Sequence, residues 1–379
     1  MLFTWAAVVA VTMIRTGAVP AGTRPFLESW ARWDSGFYLQ ISEHGYTQLP
    51  QTPFFPFYPL LIRAFGGLVS LAHHTAVPEF WGGVLASASS SLVAFVAIAA
   101  LANRELHSSD DAWRTLVLIA AYPFSFFLAT VYPQATFLAF ATLTLLFARS
   151  GRWLAAAGFA YLTALTHQTA MALVLPLGWE YVRHQRGLQL AIGGGVVWSA
   201  AIPLRVARGL LLIGAAPLGV LTYVAYLWRS WGDPFLIQKV EAGLWGRHLT
   251  PPWRTAAVYW EHLHRAHAWS DVQMMMLLEG SVWLGFAVLS VVLARRQPFM
   301  FTLYVAGLLL LCIALPTTSD YFPNPITGTG RYLIGATPIF IGVAAAVRNH
   351  RAILTSLVGS GVVLQAILAA YFFANGFVA

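Results

Sequence analysis

The chain has 379 residues, of which 58% are hydrophobic and only 9% are charged, whereas a soluble domain carries roughly 25% charged residues. This composition excludes the soluble protein classes. The formal net charge is +8, but the basic residues are scattered among apolar runs instead of forming one stripe, which argues against nucleic-acid binding. The single cysteine, Cys312, excludes an intrachain disulfide and a cysteine-ligated metal site.

Long apolar runs predict an all-α, polytopic integral membrane protein that forms one transmembrane domain over residues 1–379. Residues 1–18 lack the basic n-region of a signal peptide, so they are interpreted as part of the first span. Runs bounded by charge, proline or glycine predict about eleven spans, at residues 2–19, 79–102, 114–131, 134–148, 153–167, 169–182, 209–228, 279–294, 299–316, 332–347 and 352–373.

The distribution of basic residues predicts the orientation of these spans. If the spans alternate, twelve arginines and four acidic residues share one side, and that side carries all of the net charge of +8. The positive-inside rule assigns this side to the cytoplasm. All but one of the basic residues are arginine, Lys239 being the exception, which predicts a GC-rich genome and therefore a bacterial cytoplasmic membrane.

Four segments stand out between the predicted spans. Residues 187–204 are apolar enough for a twelfth span, which would place the later arginines outside; a cytoplasmic interfacial hairpin keeps them on the cytoplasmic side and is preferred. Residues 20–78, 229–278 and 317–331 form three long outer segments. In the first, bulky side chains recur at helix-like spacing, which predicts short amphipathic helices lying in the membrane interface.

The first outer segment has the richest polar chemistry. It contains Arg32-Trp33-Asp34, then Glu43-His44-Gly45-Tyr46, then Phe54-Phe55-Pro56-Phe57-Tyr58-Pro59. A carboxylate partly desolvated by neighbouring aromatic rings is a better proton acceptor, so Asp34 is a candidate general base. The alternative is an interfacial aromatic belt in which Asp34 caps a helix.

These motifs resemble the glycosylphosphatidylinositol mannosyltransferase II (PIG-V) family and its bacterial relatives, which are membrane glycosyltransferases of the GT-C fold. Further matching pieces follow in the order that the family shows: Tyr122–Phe127, Ala164–His167, Trp231–Pro234 and Gly330–Leu333. Two positions depart from the family pattern. Gln134 replaces a usual glutamate and His167 replaces a frequent arginine, and these replacements bear on substrate choice and activity.

The resemblance implies an inverting transfer of mannose or a related hexose from a polyprenyl-phosphate donor to a glycan, glycolipid or protein on the non-cytoplasmic side. Asp34 matches the position of the general base. The departing lipid phosphate needs a fixed cation, and the planar fork of Arg331 suits it; the alternative for Arg331 is an interfacial anchor. The supporting candidates are Arg32, Glu43 and His44. Lys239 is a second candidate for binding the donor phosphate. The predicted wall of the donor site consists of Tyr46, Phe55, Pro56, Tyr58 and Tyr332.

No metal or other cofactor is predicted. The histidines of Glu261–His267 lack the spacing that places zinc ligands on one helical face, and Gly193-Gly194-Gly195 is not a phosphate-binding loop. Two other functional classes remain open: a transporter or flippase for a lipid-linked or small polar substrate, and a catalytically silent homologue. Transport pathways need ionisable residues inside spans, and Arg15 and His167 are nearly the only ones, so an enzyme is favoured.

Overall fold

The computed structural model describes residues 29–72, 77–191, 201–319 and 323–378, without the side chains of residues 186–206. The first predicted span, residues 2–19, lies outside these ranges. All regular elements within them are helical, as the predicted all-α class requires. The first half contains α1 (Ser35–His44), α2 (Phe57–Ala72), α3 (Pro78–Leu106), α4 (Ser109–Ala120), α5 (Gln134–Arg149), α6 (Trp153–Thr166) and α7 (Val174–Ala191).

The second half continues with α8 (Ala201–Trp231), α9 (Leu236–Trp245), α10 (Pro252–Arg265), α11 (Asp271–Leu293), α12 (Phe299–Ala314), the single turn α13 (Thr329–Tyr332), α14 (Thr337–Ala346) and α15 (Arg351–Phe373). Short 3-10 helices lie at Leu49–Gln51, Ser125–Leu128, Gln168–Leu173 and Leu333–Gly335.

Several of these helices have the length and apolarity that a membrane requires. Among the described residues, four segments qualify by length and composition: Pro78–Leu106, Ala207–Trp231, Asp271–Leu293 and Arg351–Phe373. Five shorter apolar helices accompany them. Helices satisfy their backbone hydrogen bonds internally, as a hydrocarbon environment demands. The chain is therefore described as an integral membrane protein, whereas the number of eleven crossings stays a prediction.

The predicted span 114–131 is not one helix. Helix α4 ends at Ala120, because Pro123 disfavours helical geometry in the residue before it and lacks an N–H donor. The carbonyls of Ala120 and Tyr122 accept hydrogen bonds from Gln365 Nε2, both at 3.2 Å. A side chain of α15 thus contacts the backbone where the helix ends.

The predicted interfacial hairpin at residues 187–204 falls only partly within the described ranges. Residues 187–191 belong to the end of α7 and residues 201–204 to the start of α8. Residues 192–200 lie outside the description. The hairpin therefore stays a prediction.

Predicted cytoplasmic loops meet in a cluster of ion pairs. Arg149, at the end of α5, contacts Glu105 at 2.7 Å and Glu180 at 2.8 Å. Glu180 also pairs with Arg183 at 2.6 Å. The C-terminal ends of α3 and α5 therefore meet beside Glu180 of α7, and the alternating arrangement predicted these residues on one side.

The first outer segment contains the helices α1 and α2, whereas their predicted position in the membrane interface stays a prediction. Helix α2 packs closely against α3, because a Cβ atom at Gly82 would lie only 2.3 Å from the Ile62 carbonyl oxygen. A glycine is needed where two helix backbones approach so closely. This packing fixes the chain just before α2, which forms one wall of the cavity described next.

Candidate functional site

A cavity of about 480 Å³ lies where the three predicted outer segments meet. This volume is within the range of roughly 300–1,000 Å³ typical of small-molecule sites. The first segment contributes Asp34 and Phe55, the second contributes Glu241 and Arg247, and the third contributes Arg331. The side chains come from distant parts of the chain, so only the folded structure could show that they share one space.

Asp34 and Arg331 form an ion pair in this cavity. Asp34 Oδ2 accepts a hydrogen bond from Arg331 Nη1 at 2.7 Å, and the side chains are 25% and 10% exposed, respectively. Asp34 occupies the N-cap position of α1, but its side chain makes no capping hydrogen bond. The carboxylate contacts Arg331 instead. This geometry argues against the alternative in which the Asp34 side chain caps the helix.

Three aromatic rings surround the Arg331 guanidinium. Its central carbon lies 5.9 Å from the ring centroid of Phe127, 5.4 Å from that of Tyr132 and 5.2 Å from that of Tyr332. Such contacts stabilise a cation that has lost water. Burial opposes the charged form, but Tyr332 and Asp34 raise the pKa of Arg331 well above its ordinary value. The cavity therefore holds a permanent positive charge.

The turn that carries Arg331 is fixed by a buried carboxylate, Glu279, on α11. Glu279 Oε1 accepts hydrogen bonds from the backbone N–H groups of Gly328, at 3.0 Å, and Gly330, at 3.3 Å. Its other oxygen accepts from Asn324 Nδ2. The Glu279 side chain is fully buried. These contacts hold the residues before Arg331 and so determine where its guanidinium lies.

Two of the sequence motifs meet behind Arg331. The Tyr122 hydroxyl donates to the Gly330 carbonyl oxygen at 2.8 Å. The Phe124 ring packs so closely against Gly330 that an added Cβ atom would lie 2.3 Å from it. The Tyr122–Phe127 motif thus supports the Gly330–Leu333 motif, and this contact gives a physical reason for the glycine.

Gln134 and His167, the two residues that depart from the family pattern, both line the cavity. Gln134 is 7% exposed, and its Oε1 atom is buried without a hydrogen-bond partner in the described structure. The backbone N–H of Thr169 donates to His167 Nδ1 at 3.2 Å, which places the proton of a neutral imidazole on Nε2. The His167 ring lies 4.9 Å from that of Tyr332.

The sequence interpretation missed several residues of this site. Glu241, Arg247 and Gln168 line the cavity, and Glu241 is buried. Phe377, near the end of the chain, also lines it. The neighbouring Gly376 carbonyl accepts a hydrogen bond from Trp33 Nε1 at 3.1 Å. An acidic and a basic residue close together in an outer segment were a possible signal for Glu241 and Arg247; no sequence pattern pointed to Phe377.

Some predicted site residues lie elsewhere. Besides Asp34 and Arg331, Phe55 and Tyr332 line the cavity. The candidates outside its lining are Arg32, Glu43, His44, Tyr46, Pro56, Tyr58 and Lys239. Glu43 and His44 are exposed and contact each other at 3.5 Å, and Lys239 is exposed and pairs with Asp233 at 2.6 Å. The Arg32 guanidinium reaches the Phe373 carbonyl at 3.5 Å.

The other predicted wall residues support the wall from behind. The Tyr46 hydroxyl donates to the Phe54 carbonyl at 2.6 Å, and the Tyr58 hydroxyl lies 2.7 Å from Ser87 Oγ. Pro56 is half-buried outside the lining. These three side chains therefore do not line the cavity and are not placed to contact a ligand in it.

The histidine-rich segment Glu261–His267 lies on and just after α10. Arg265 pairs with Glu261 at 2.6 Å, and His262 Nδ1 lies 2.7 Å from the Pro323 carbonyl oxygen. His264 Nδ1 lies 2.8 Å from the Trp260 carbonyl oxygen. These side chains engage separate local partners, and within the described residues no cluster of three or more potential metal ligands occurs.

Comparison with known proteins agrees with the motifs. Residues 11–183 match the mannosyltransferase (PIG-V) family. Over this region the chain is similar to the PIG-V family. It is also 31% identical over 129 residues to GPI alpha-1,6-mannosyltransferase 2 of Rattus norvegicus, a match that covers 32% of this chain and 25% of the rat protein.

The chain therefore matches only about a quarter of the length of this curated relative. The family match includes Asp34 and the Tyr122–Phe127 motif but ends before Glu241, Glu279 and Arg331. The resemblance identified from the motifs is confirmed for residues 11–183, and the later part of the site depends on the structure alone.

Proposed function

We propose that this protein is an inverting membrane glycosyltransferase that transfers mannose, or a related hexose, from a polyprenyl-phosphate donor to an acceptor hydroxyl. The observation that carries this proposal is the Asp34–Arg331 ion pair, at 2.7 Å, in a cavity large enough for a sugar phosphate. It combines a proton acceptor with a permanent cation, which are the two groups that such a transfer needs. The PIG-V-like N-terminal region supports the same chemistry.

The reaction requires one displacement at C1 of the donor sugar. The acceptor oxygen attacks C1 while its proton passes to the Asp34 carboxylate. The bond between C1 and the phosphate oxygen breaks, and the electron pair leaves with the polyprenyl phosphate. Arg331 stabilises the negative charge that grows on this phosphate. A single displacement inverts the configuration at C1 and needs only one carboxylate.

The ion pair describes the protein before the donor enters. The donor phosphate competes with Asp34 for the Arg331 guanidinium, because both are anions that accept from the same N–H groups. As Arg331 turns to the phosphate, the Asp34 carboxylate loses its ion-pair partner and is free to accept the proton of the acceptor hydroxyl. Donor binding therefore activates the base at the moment when an acceptor can use it.

The lipid and the membrane side are part of the same proposal. The polyprenyl chain lies among the apolar helices, and the sugar enters the cavity at the non-cytoplasmic surface. The cavity residues Asp34, Glu241 and Arg331 all belong to predicted outer segments, whereas the Arg149 ion-pair cluster belongs to predicted inner loops. The acceptor is a glycan, a glycolipid or a protein.

Replacement of Asp34 tests the proposal. In lipid nanodiscs with polyprenyl-phosphate [³H]mannose, we expect Asp34→Asn to fold normally and to lose sugar transfer by about 10²- to 10⁴-fold, the typical contribution of a general base. Glu261→Gln is the matched control, since Glu261 is 53% exposed and pairs with Arg265 outside the cavity. It should transfer at the wild-type rate.

The alternatives give different results in this assay. Near-wild-type transfer by Asp34→Asn would contradict the assignment of the base. A folded wild-type protein that neither transfers nor hydrolyses the donor in nanodiscs, but moves it between the leaflets of sealed proteoliposomes, would support the flippase alternative. A protein with neither activity would support a silent homologue.

A further inference from the structure

A second polar cluster faces the same cavity from the second outer segment. Glu241 and Trp245 lie on α9, Arg247 follows directly, and Gln168 completes the group from the 3-10 helix after α6. Glu241 is 6% exposed, and the Arg247 side chain is 15% exposed. The mechanism proposed above uses none of these four residues, which together are called the Glu241 subsite.

The Glu241 carboxylate is buried but weakly held. Both Arg247 Nη1 and Gln168 Nε2 approach its Oε1 atom at 3.5 Å, at the outer limit of a hydrogen bond. Arg247 Nε donates to Thr317 Oγ1 at 3.2 Å instead. Burial raises the pKa of Glu241, which Arg247 only partly opposes. A buried carboxylate with such long contacts gains from any ligand that brings better donors.

The Glu241 subsite is a direct neighbour of the Asp34–Arg331 pair. His167 and Gln168 are consecutive residues, so their Cα atoms are about 3.8 Å apart. The His167 ring contacts that of Tyr332, at 4.9 Å, beside Arg331. Gln168 reaches Glu241. A ligand in the Glu241 subsite therefore lies next to the position where the donor phosphate would sit.

The chemistry of the Glu241 subsite selects a class of ligand. Glu241 and Arg247 together are neutral, so an anionic group would meet the carboxylate as well as the guanidinium. A polyhydroxylated ring suits both, because its hydroxyls donate to the carboxylate and accept from the guanidinium. The Trp245 ring centroid lies 6.3 Å from that of Phe54 and 5.8 Å from the central guanidinium carbon of Arg247, so Trp245 adds apolar surface beside the charged pair.

We infer that the Glu241 subsite binds the acceptor, as a neutral sugar ring whose hydroxyl is presented to Asp34. This inference rests on the proposed function, since it names the acceptor class of that reaction. It predicts that acceptor use and donor use depend on different residues of one cavity.

The first experiment compares transfer with hydrolysis. Nanodisc-reconstituted protein receives polyprenyl-phosphate [³H]mannose together with methyl glycosides of mannose, glucose, galactose or N-acetylglucosamine as acceptors. For the best acceptor, we expect Glu241→Gln to raise KM and to lower the ratio of transfer to water hydrolysis by about tenfold, the size expected for lost hydrogen bonds to a charged group. The exposed control Glu261→Gln should keep the wild-type ratio.

A second variant and a second measurement keep the inference testable if Glu241→Gln folds poorly. Gln168→Ala should lower the same ratio about threefold, because it removes one weaker contact. Equilibrium dialysis with the four tritiated methyl glycosides, without donor, measures binding directly. The wild type should bind at least one of them, and both variants should bind it more weakly.

The outcomes separate this inference from the proposed function. A wild-type transfer ratio in both variants, or no glycoside binding by the wild type, overturns the acceptor subsite and leaves the Asp34→Asn result untouched. Full activity of Asp34→Asn, combined with glycoside binding that depends on Glu241, overturns the proposed reaction and keeps the sugar site.

Discussion

Asp34 and Arg331 are separated by 297 positions in the chain, yet their side chains meet at 2.7 Å. Either charge alone in this partly buried position would be costly. The pair keeps the cavity neutral before substrate binds, and the rings of Phe127, Tyr132 and Tyr332 stabilise the guanidinium. The site can therefore exist in the absence of the donor while keeping both charges available.

At the scale of one residue, Arg331→Lys separates charge from geometry. Lysine retains the positive charge but lacks the planar fork that holds two phosphate oxygens. We expect kcat/KM for polyprenyl-phosphate mannose to fall about a hundredfold, the size typical of a lost transition-state donor. Steady-state kinetics in nanodiscs would measure it.

Arg265→Lys is the control for this substitution, because Arg265 is 72% exposed and pairs with Glu261. It should have wild-type kinetics. If Arg331→Lys also has wild-type kinetics, Arg331 is an interfacial anchor, which is the alternative that the sequence left open.

At the scale of one element, α11 contributes the carboxylate that fixes the Arg331 turn. Glu279→Leu would leave two backbone N–H groups and the Asn324 amide without their acceptor. Each unsatisfied buried donor costs roughly 1–3 kcal/mol. We expect Glu279→Leu to lower the free energy of unfolding by at least about 2 kcal/mol, measured by denaturant unfolding in detergent.

Glu261→Leu is the matched control, since it removes an exposed glutamate of the second outer segment, and it should change the free energy of unfolding little. Glu279→Gln retains an acceptor oxygen and should recover part of the loss. Equal stability of Glu279→Leu and Glu261→Leu would contradict a role for Glu279 in holding the turn.

The packing of Phe124 on Gly330 provides a second prediction at the element scale. Gly330→Ala introduces a Cβ atom 2.3 Å from the Phe124 ring, so the turn must shift and move Arg331. We expect sugar transfer to fall at least about tenfold, because small displacements in an active site are costly. Phe124→Leu in the same chain makes room and should restore part of the activity.

This pair of substitutions forms a double-mutant cycle. Two residues in contact have effects that do not add, so Gly330→Ala should be less harmful in the Phe124→Leu background. Purely additive losses would show that the two motifs are not coupled through this contact.

At the scale of the whole molecule, the structure separates two polar faces. One has the cavity with Asp34 and Arg331, and the other has the ion pairs of Arg149. Arg149 connects Glu105 on α3 to Glu180 on α7. The predicted orientation assigns the face with the basic excess to the cytoplasm, and this assignment stays a prediction.

Cysteine labelling tests that orientation. Cys312 is the only cysteine of the sequence and is buried, so Cys312→Ala gives a cysteine-free background. In intact cells, a membrane-impermeant maleimide should label Glu261→Cys from outside. It should label Arg351→Cys, at the exposed start of α15, only after the membrane is opened. The reverse pattern would contradict the orientation and the proposed outward site.

The sequence by itself determined the class of protein and predicted several residues of the candidate site. Low charge and long apolar runs require helices in a membrane, because helices satisfy their own backbone hydrogen bonds there. The motifs also selected Asp34, Arg331, Tyr332 and Phe55, all of which line the cavity. These inferences succeed because composition, periodicity and short motifs are local properties of the chain.

Glu279 shows where local reasoning fails. The predicted span began at Glu279, so its carboxylate lay at a boundary, whereas α11 begins at Asp271 and places it about two turns inside. An ionisable residue within a span is a signal of function in its own right, and that signal was missed. Its partners, Gly328 and Gly330, lie about 50 positions away.

Only the tertiary structure decided which polar residues share the cavity. Glu43, His44 and Lys239 have the right chemistry but lie outside its lining, and Glu241 and Arg247 line it without any motif to mark them. The physical reason is that a site forms where distant segments are brought together by packing. The sequence specifies each side chain, but the contacts that orient them depend on the whole fold.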